Sequence, residues 1–210
     1  MKKDKKVRER KKPKTWLGKA WNFIWYGDSI ASWIVSLLLA FVIVKFVFFP
    51  LLSLTLASSM PLVVVESESM HHPGSFIGNA IGLQDNFKVW WTEKGSWYEI
   101  QGISEGEAEN WPFRTGLEMG DIVVISGYGT YEIGDTIVFN AGQRYPIIHR
   151  IVDITQIDGR TIYSTKGDNN SGQLVGEKSI TEDQILGKAV MKLPKLGWVK
   201  LGFVRLFNLF

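Results

Sequence analysis

Between Ser29 and Ala57 the chain carries a single charge, Lys45. The apolar run from Ile30 to Val44 continues past that lysine into Phe46-Val47-Phe48-Phe49. About 20 such residues cross a bilayer core as a helix, and a stretch of this kind has few other ways to fold. A buried helix of a soluble domain is usually shorter and amphipathic. A cleaved secretory signal has a shorter apolar segment. The pattern predicts a transmembrane helix over 29–50. Lys45 would reach the interface through its alkyl stem, and Pro50 would end or kink the helix.

Charge orients this segment. Residues 1–25 hold ten Lys/Arg against Asp4 and Glu9, whereas the rest of the chain holds 14 Lys/Arg and 19 Asp/Glu. The net charge of +3 therefore hides a basic tail and an acidic remainder. Basic residues just before a span place that side in the cytoplasm. Trp16, Trp21, Trp25 and Trp33 gather at the same end, as an interfacial belt would. The expected organisation is a basic cytoplasmic tail over 1–28, the span over 29–50 and an extracytoplasmic domain over 51–192. Topology accounts for the basic tail, so nucleic acid is not an expected partner; the bilayer is. There is no cysteine and there are three histidines. Disulfides and thiolate sites are thereby excluded, and neither metal nor cofactor is expected.

The outer part reads as mainly β. Leu62-Val63-Val64-Val65, Asp121 to Ile125, Thr136 to Phe139, Ile147 to Val152, Thr161 to Thr165 and Gly187 to Met191 are short apolar or β-branched runs. Gly, Asn and Asp separate them, which fits a compact β domain. Residues 71–118 differ. They are rich in Trp and Gly and read as an insertion with one hairpin, Phe87 to Trp91 and Trp97 to Gln101. A surface flap with its own aromatic cluster is one expectation for this insertion; a lid or membrane-facing wedge is the other. The tail 193–210 alternates apolar residues with Lys195, Lys200 and Arg205. It suits an interfacial amphipathic segment or a strand packed on the domain.

Three residues point to chemistry. Ser69 follows the first strand, His149 lies within Ile147-Ile148-His149-Arg150-Ile151-Val152, and Asp168 lies within Thr165-Lys166-Gly167-Asp168-Asn169-Asn170. A hydroxyl needs a base within hydrogen-bond reach to act as a nucleophile near neutral pH. An imidazole held among isoleucines is a fit candidate. Each residue alone has an ordinary structural explanation: a packed core histidine, a turn aspartate. His71 and His72, close to Ser69, read as solvated loop residues.

Taken in order, Ser67-Glu68-Ser69-Met70, Gly120-Asp121-Ile122-Val123, Gly134-Asp135-Thr136-Ile137-Val138, His149-Arg150-Ile151-Val152, Lys166-Gly167-Asp168-Asn169-Asn170 and Asp183-Gln184-Ile185-Leu186-Gly187-Lys188 resemble archaeal signal peptidase I. That family is related to the catalytic subunit of the eukaryotic endoplasmic-reticulum signal peptidase complex. The resemblance runs from the anchor to about Leu193. It implies a signal-peptidase-like β domain on one N-terminal transmembrane helix, and a membrane-bound serine endopeptidase that removes signal peptides from exported preproteins. Ser69 would be the nucleophile and His149 the general base, where bacterial and mitochondrial relatives use lysine. Asp168 would orient the histidine. The Ser69 amide with the Ser67 hydroxyl would form the oxyanion hole, and substrate would lie extended along Val63, Val64 and Val65. Signal peptides are the implied partners, with the protein-export machinery as a further candidate.

Three positions depart from the family. Leu174 stands where another acid is common, six residues after Asp168, and Glu177 lies three further on. The orienting acid is thus either Asp168 or Glu177. Glu68 replaces a small residue beside the nucleophile, and 71–118 lengthens the segment after it. These departures also suit a non-catalytic membrane-anchored scaffold of the same fold.

Overall fold

The computed structural model describes residues 14–74 and 86–207, with side chains to residue 202. Most of the basic tail and Gly78 and Gly82 of the insertion lie outside the described residues. The chain forms two compact units, 1–51 and 52–210.

In the first unit, Trp16–Tyr26 forms helix α1, capped by the Thr15 hydroxyl, which accepts from the Gly18 amide at 3.2 Å. Its large aromatic residues are exposed. Ser29 caps the next helix by accepting from Ser32 N at 3.1 Å. The Ser36 hydroxyl donates to Ile24 O at 2.8 Å and the Ser32 hydroxyl donates to Phe23 O, so two serines tie this helix to the end of α1.

Helix α2 runs from Ile30 to Leu56, 27 residues, and its most apolar 18-residue window has a mean hydropathy of 2.7. At 1.5 Å per residue it extends about 40 Å, and it is long and apolar enough to span a membrane. Of the two outcomes expected at Pro50, an end or a kink, the helix does not end there. Val44–Phe48 forms a π turn, and Phe49 N bonds to Val44 O. A proline ring clashes with the carbonyl four residues back. The wider π turn just before Pro50 opens that spacing and lets the helix continue.

The second unit is built on one seven-stranded, wholly antiparallel sheet. Its strands are β1 (Leu62–Val64), β2 (Ile122–Ser126), β3 (Thr136–Phe139), β4 (Ile147–Ile157), β5 (Arg160–Lys166), β6 (Ile180–Thr181) and β7 (Ile185–Leu193). The spatial order is β1-β2-β7-β3-β4-β5-β6. β4 and β5 form a hairpin whose two-residue turn, Asp158–Gly159, has φ of 51° and 75°; positive φ at both positions matches the right-handed twist of the strands. Bulges at Val124/Ile125, Val138/Phe139 and Ile151/Asp153 curl the sheet. Alternation along β3 feeds two cores. Val138 packs with Val65, Met70, Leu117, Val123 and Ile125. Ile137 and Phe139 pack with Ile151, Tyr163 and Ile180.

The expected hairpin at 87–101 is instead helix α3, Phe87–Ile100. Phe87, Trp90, Trp91 and Tyr98 are its buried large side chains, a helical spacing that β propensity and the Gly95-Ser96 pair obscured. Gly95 weakens a helix by about 1 kcal/mol, but a Cβ there would lie 2.6 Å from the Trp91 ring. The residue is needed for that ring to fold against the backbone. A short helix α4, Glu105–Ala108, follows with a Ser104/Glu107 capping box. Together these pieces bury an aromatic cluster that includes Trp111 and Val152 of β4. The described part of the insertion from Phe87 to Trp111 is therefore packed onto the sheet. The C-terminal segment from Trp198 to Phe207 is helix α5 rather than a strand.

Candidate active site

Ser69 lies in a turn just beyond β1, and the flanking chain is held at several points. Val65 N donates to Asp121 O and Gly120 N to Val65 O, both at 2.9 Å; Leu117 N donates to Met70 O at 2.9 Å. Met70 is fully buried and anchors the turn. The Ser69 and Ser67 hydroxyls are 3.1 Å apart. Ser69 itself is half-buried.

His149 reaches the same place from the middle of the sheet, opposite Ile137 of β3. Its approach can be gauged at Gly167. A Cβ on that glycine would lie 2.7 Å from His149 Nε2 and 2.8 Å from the carbonyl oxygen of Ser69. One carbon-sized space thus separates the imidazole from the Ser69 backbone, and only glycine leaves it open. Among the described residues no hydrogen bond joins Ser69 Oγ to Nε2. Nucleophile–base contacts are often long before substrate arrives.

The other imidazole nitrogen meets Glu177, the alternative acid expected from the sequence. His149 Nδ1 is hydrogen-bonded to Glu177 Oε1. Glu177 is fully buried. Its Oε1 also accepts from the Thr165 hydroxyl at 3.0 Å, its Oε2 accepts from Leu174 N, and its carbonyl accepts from Thr165 N at 2.8 Å. A carboxylate at Nδ1 holds the tautomer in which Nε2 is free to take a proton.

Asp168, the first-choice orienting acid from sequence, does not contact His149. Its Oδ1 accepts from Arg150 Nε at 2.9 Å and its Oδ2 from Arg150 Nη2 at 2.7 Å. Oδ2 also bonds His72 Nε2 at 2.9 Å, and Oδ1 accepts from the Tyr98 hydroxyl at 3.2 Å. The reason lies in the strand. Successive side chains on β4 point to opposite faces, so His149 and Arg150 diverge. Thr165, paired with Ile151, stands on the His149 face beside Glu177, while Asp168 closes on the Arg150 face.

The Asp168 cluster is buried throughout. Arg150 also donates to Gly134 O, Pro112 O and Phe113 O at 2.7, 2.8 and 3.2 Å. Its guanidinium lies 5.1 Å from the Trp111 ring centroid. Burial alone would raise the Asp168 carboxyl, but the Arg150 charge and the His72 bond outweigh it and hold the group well below the usual range. His72, expected to be a solvated loop residue, is buried and stacked on Trp90 with centroids 4.3 Å apart. That burial lowers its pKa despite Asp168. His71 is partly exposed and pairs with Glu118 at 2.8 Å. Lys166, next in the sequence to this loop, is buried with its ammonium 4.8 Å from the Tyr98 ring centroid. Desolvation lowers its pKa to about 8.

Of the edge residues expected to meet substrate, Val63 and Val64 are half-buried, while the Val65 side chain is sealed in the core. Val65 cannot line a pocket with its side chain. Its amide and carbonyl are both engaged by the 120–121 turn, so by alternation the outward backbone groups of edge strand β1 are those of Leu62 and Val64. A cavity of about 470 Å³ lined by Gly159, Arg160, Thr161, Thr181, Glu182 and Asp183 lies at the far end of β5 and holds none of these groups.

Sequence reading missed Thr165 and Arg150, and on α3 it missed Trp90, Lys94 and Tyr98. The alternation of His149 and Arg150 on one strand, and the i, i+4, i+8 spacing on α3, were the available signals. No protein-family model and no curated protein sequence matches this chain.

Proposed function

We propose that this chain is a membrane-anchored serine endopeptidase that removes N-terminal signal peptides from exported preproteins. The observation that carries the reading is the convergence of Ser69 and the His149–Glu177 pair on one small space beside an open β edge. Ser69 Oγ attacks the scissile carbonyl. His149 Nε2 takes the hydroxyl proton and later delivers it to the leaving amine. Glu177 holds the imidazole and stabilises its cationic form. The Ser69 N–H, with the Ser67 hydroxyl beside it, faces the developing oxyanion. Substrate adds as an extended strand beside β1, bonding to the outward groups of Val64. The apolar helix α2 and the basic residues before it favour a cytoplasmic N-terminus and an extracytoplasmic site.

The test uses the full-length chain in detergent micelles or liposomes with a signal-bearing precursor. The wild type should release the mature product, and Ser69→Ala and His149→Ala should each abolish release with the circular dichroism spectrum intact. Full activity in either variant, or an inert wild type, sinks the proposal and leaves a scaffold of the same fold.

A further inference from the structure

Asn169 touches both peptide groups that flank the nucleophile. Its side-chain Nδ2 donates to Glu68 O at 3.1 Å, and its backbone N donates to Ser69 O at 2.8 Å. Glu68 O also accepts from His71 N at 3.0 Å. A peptide group is planar and trans, so its carbonyl and its N–H point in opposite directions. A bond that fixes Glu68 O therefore also fixes the direction of the Ser69 N–H. Among the described residues that N–H donates to no protein acceptor. It is aimed, and left for a reactant.

Asn169 is itself braced by α3. Lys94 Nζ donates to Asn169 O at 3.0 Å, Trp90 Nε1 to Asp168 O at 3.0 Å, and the Tyr98 hydroxyl to Asp168 Oδ1 at 3.2 Å. Residues 90, 94 and 98 form one stripe of the helix, and all three bond the loop at 168–169. Of the three, Trp90 and Tyr98 are core side chains, whereas Lys94 is half-buried and dispensable to the core.

We propose that Asn169 is the positioning residue for the oxyanion-binding amide of Ser69, and that Lys94 extends this hold from the inserted helix. The inference rests on the endopeptidase reading above. A hydrogen bond on the carbonyl of a peptide also polarises its N–H, so losing the Asn169 amide weakens the donor as well as loosening its aim.

The experiment compares Asn169→Ala, Asn169→Asp and Lys94→Met with wild type in the same precursor assay. Removing an oxyanion donor outright costs about 100- to 1,000-fold in kcat; misaiming one should cost about 10- to 100-fold, with KM unchanged. Asn169→Asp keeps the shape but cannot donate, so it should lose at least as much as Asn169→Ala. Lys94→Met should lose less, in the same direction. A peptide aldehyde, which forms a hemiacetal with Ser69, should lose affinity in proportion to kcat/KM, while an uncleavable substrate peptide binds as before. Unfolding midpoints should not move. Wild-type kcat in both Asn169 variants overturns the inference, as does a loss confined to KM or one that tracks a lowered midpoint. If Ser69→Ala is inert while the Asn169 variants are fully active, this inference alone falls; if Ser69→Ala cleaves, it falls together with the reading beneath it.

Discussion

The two buried carboxylates should fail in different ways, and Glu177→Gln is the sharper perturbation. The amide conserves shape but removes the charge beside His149 Nδ1. It also has only one acceptor atom for the three donors that Glu177 now serves: His149, Thr165 and Leu174. If its oxygen stays on His149, its NH2 confronts the Leu174 N–H; if it turns, the imidazole is forced into the tautomer with Nε2 protonated and unable to act as a base. Unit charges about 4 Å apart at an effective dielectric near 20 interact by about 4 kcal/mol. Losing that support for the imidazolium lowers turnover by about 1,000-fold, and a forced wrong tautomer by about 10,000-fold. Asp168→Asn instead strips a buried arginine of its counter-charge. Breaking such a pair costs about 3–5 kcal/mol, which lowers the unfolding midpoint by about 10 °C in a domain of this size. Single-turnover cleavage of a precursor in micelles reads the first effect, and thermal unfolding by circular dichroism reads the second. Loss of turnover in Asp168→Asn at an unchanged midpoint, with Glu177→Gln still active, would reverse these two assignments.

Two further outcomes follow from the same geometry. Gly167→Ala puts a methyl group 2.7 Å from His149 Nε2 and 2.8 Å from Ser69 O; the resulting displacement should cost about 10- to 100-fold in kcat, and wild-type turnover would contradict the close approach. His72 has a folded pKa below its ordinary 6.5, so the unfolded chain binds the proton first as pH falls. Its contribution to stability is present above pH 6.5 and is lost as pH drops below that value. Unfolding midpoints measured from pH 7.5 down to 5 should therefore decline less steeply in His72→Asn than in wild type, and parallel slopes would exclude His72 as the source.

The apolar helix and the β-rich outer part were legible because each is written as an unbroken local pattern. Ser69 and His149 were also visible, through their neighbours on a strand and after one. The acid was left open between Asp168 and Glu177. The resemblance favoured Asp168, but which of the two meets His149 depends on which face of β4 each neighbour occupies, and Glu177 returns to that face through an eight-residue loop whose path no local pattern encodes. Phe87–Ile100 misled for a related reason. Its Trp, Val and Tyr residues carry strand propensity, and burial of one helical stripe against the sheet overrode it. Whether Pro50 ends or kinks the helix was not legible, because the π turn that accommodates it leaves no mark in composition.

The strand order carries a consequence for how the protein matures. β7 follows the other six strands in the sequence yet lies between β2 and β3, and among the described residues no other strand is bonded to both. Before residues 185–193 are in place, the ribbon leading to Ser69 and the four-stranded piece holding His149 have no shared ladder. A growing chain thus presents Ser69 more than a hundred residues before it can complete the sheet that steadies His149. Joining of the two pieces waits for β7, as if a final bolt were slid between two finished halves. A chain stopped before Ile185 would carry Ser69, His149 and Glu177 and still lack the strand that joins the two pieces.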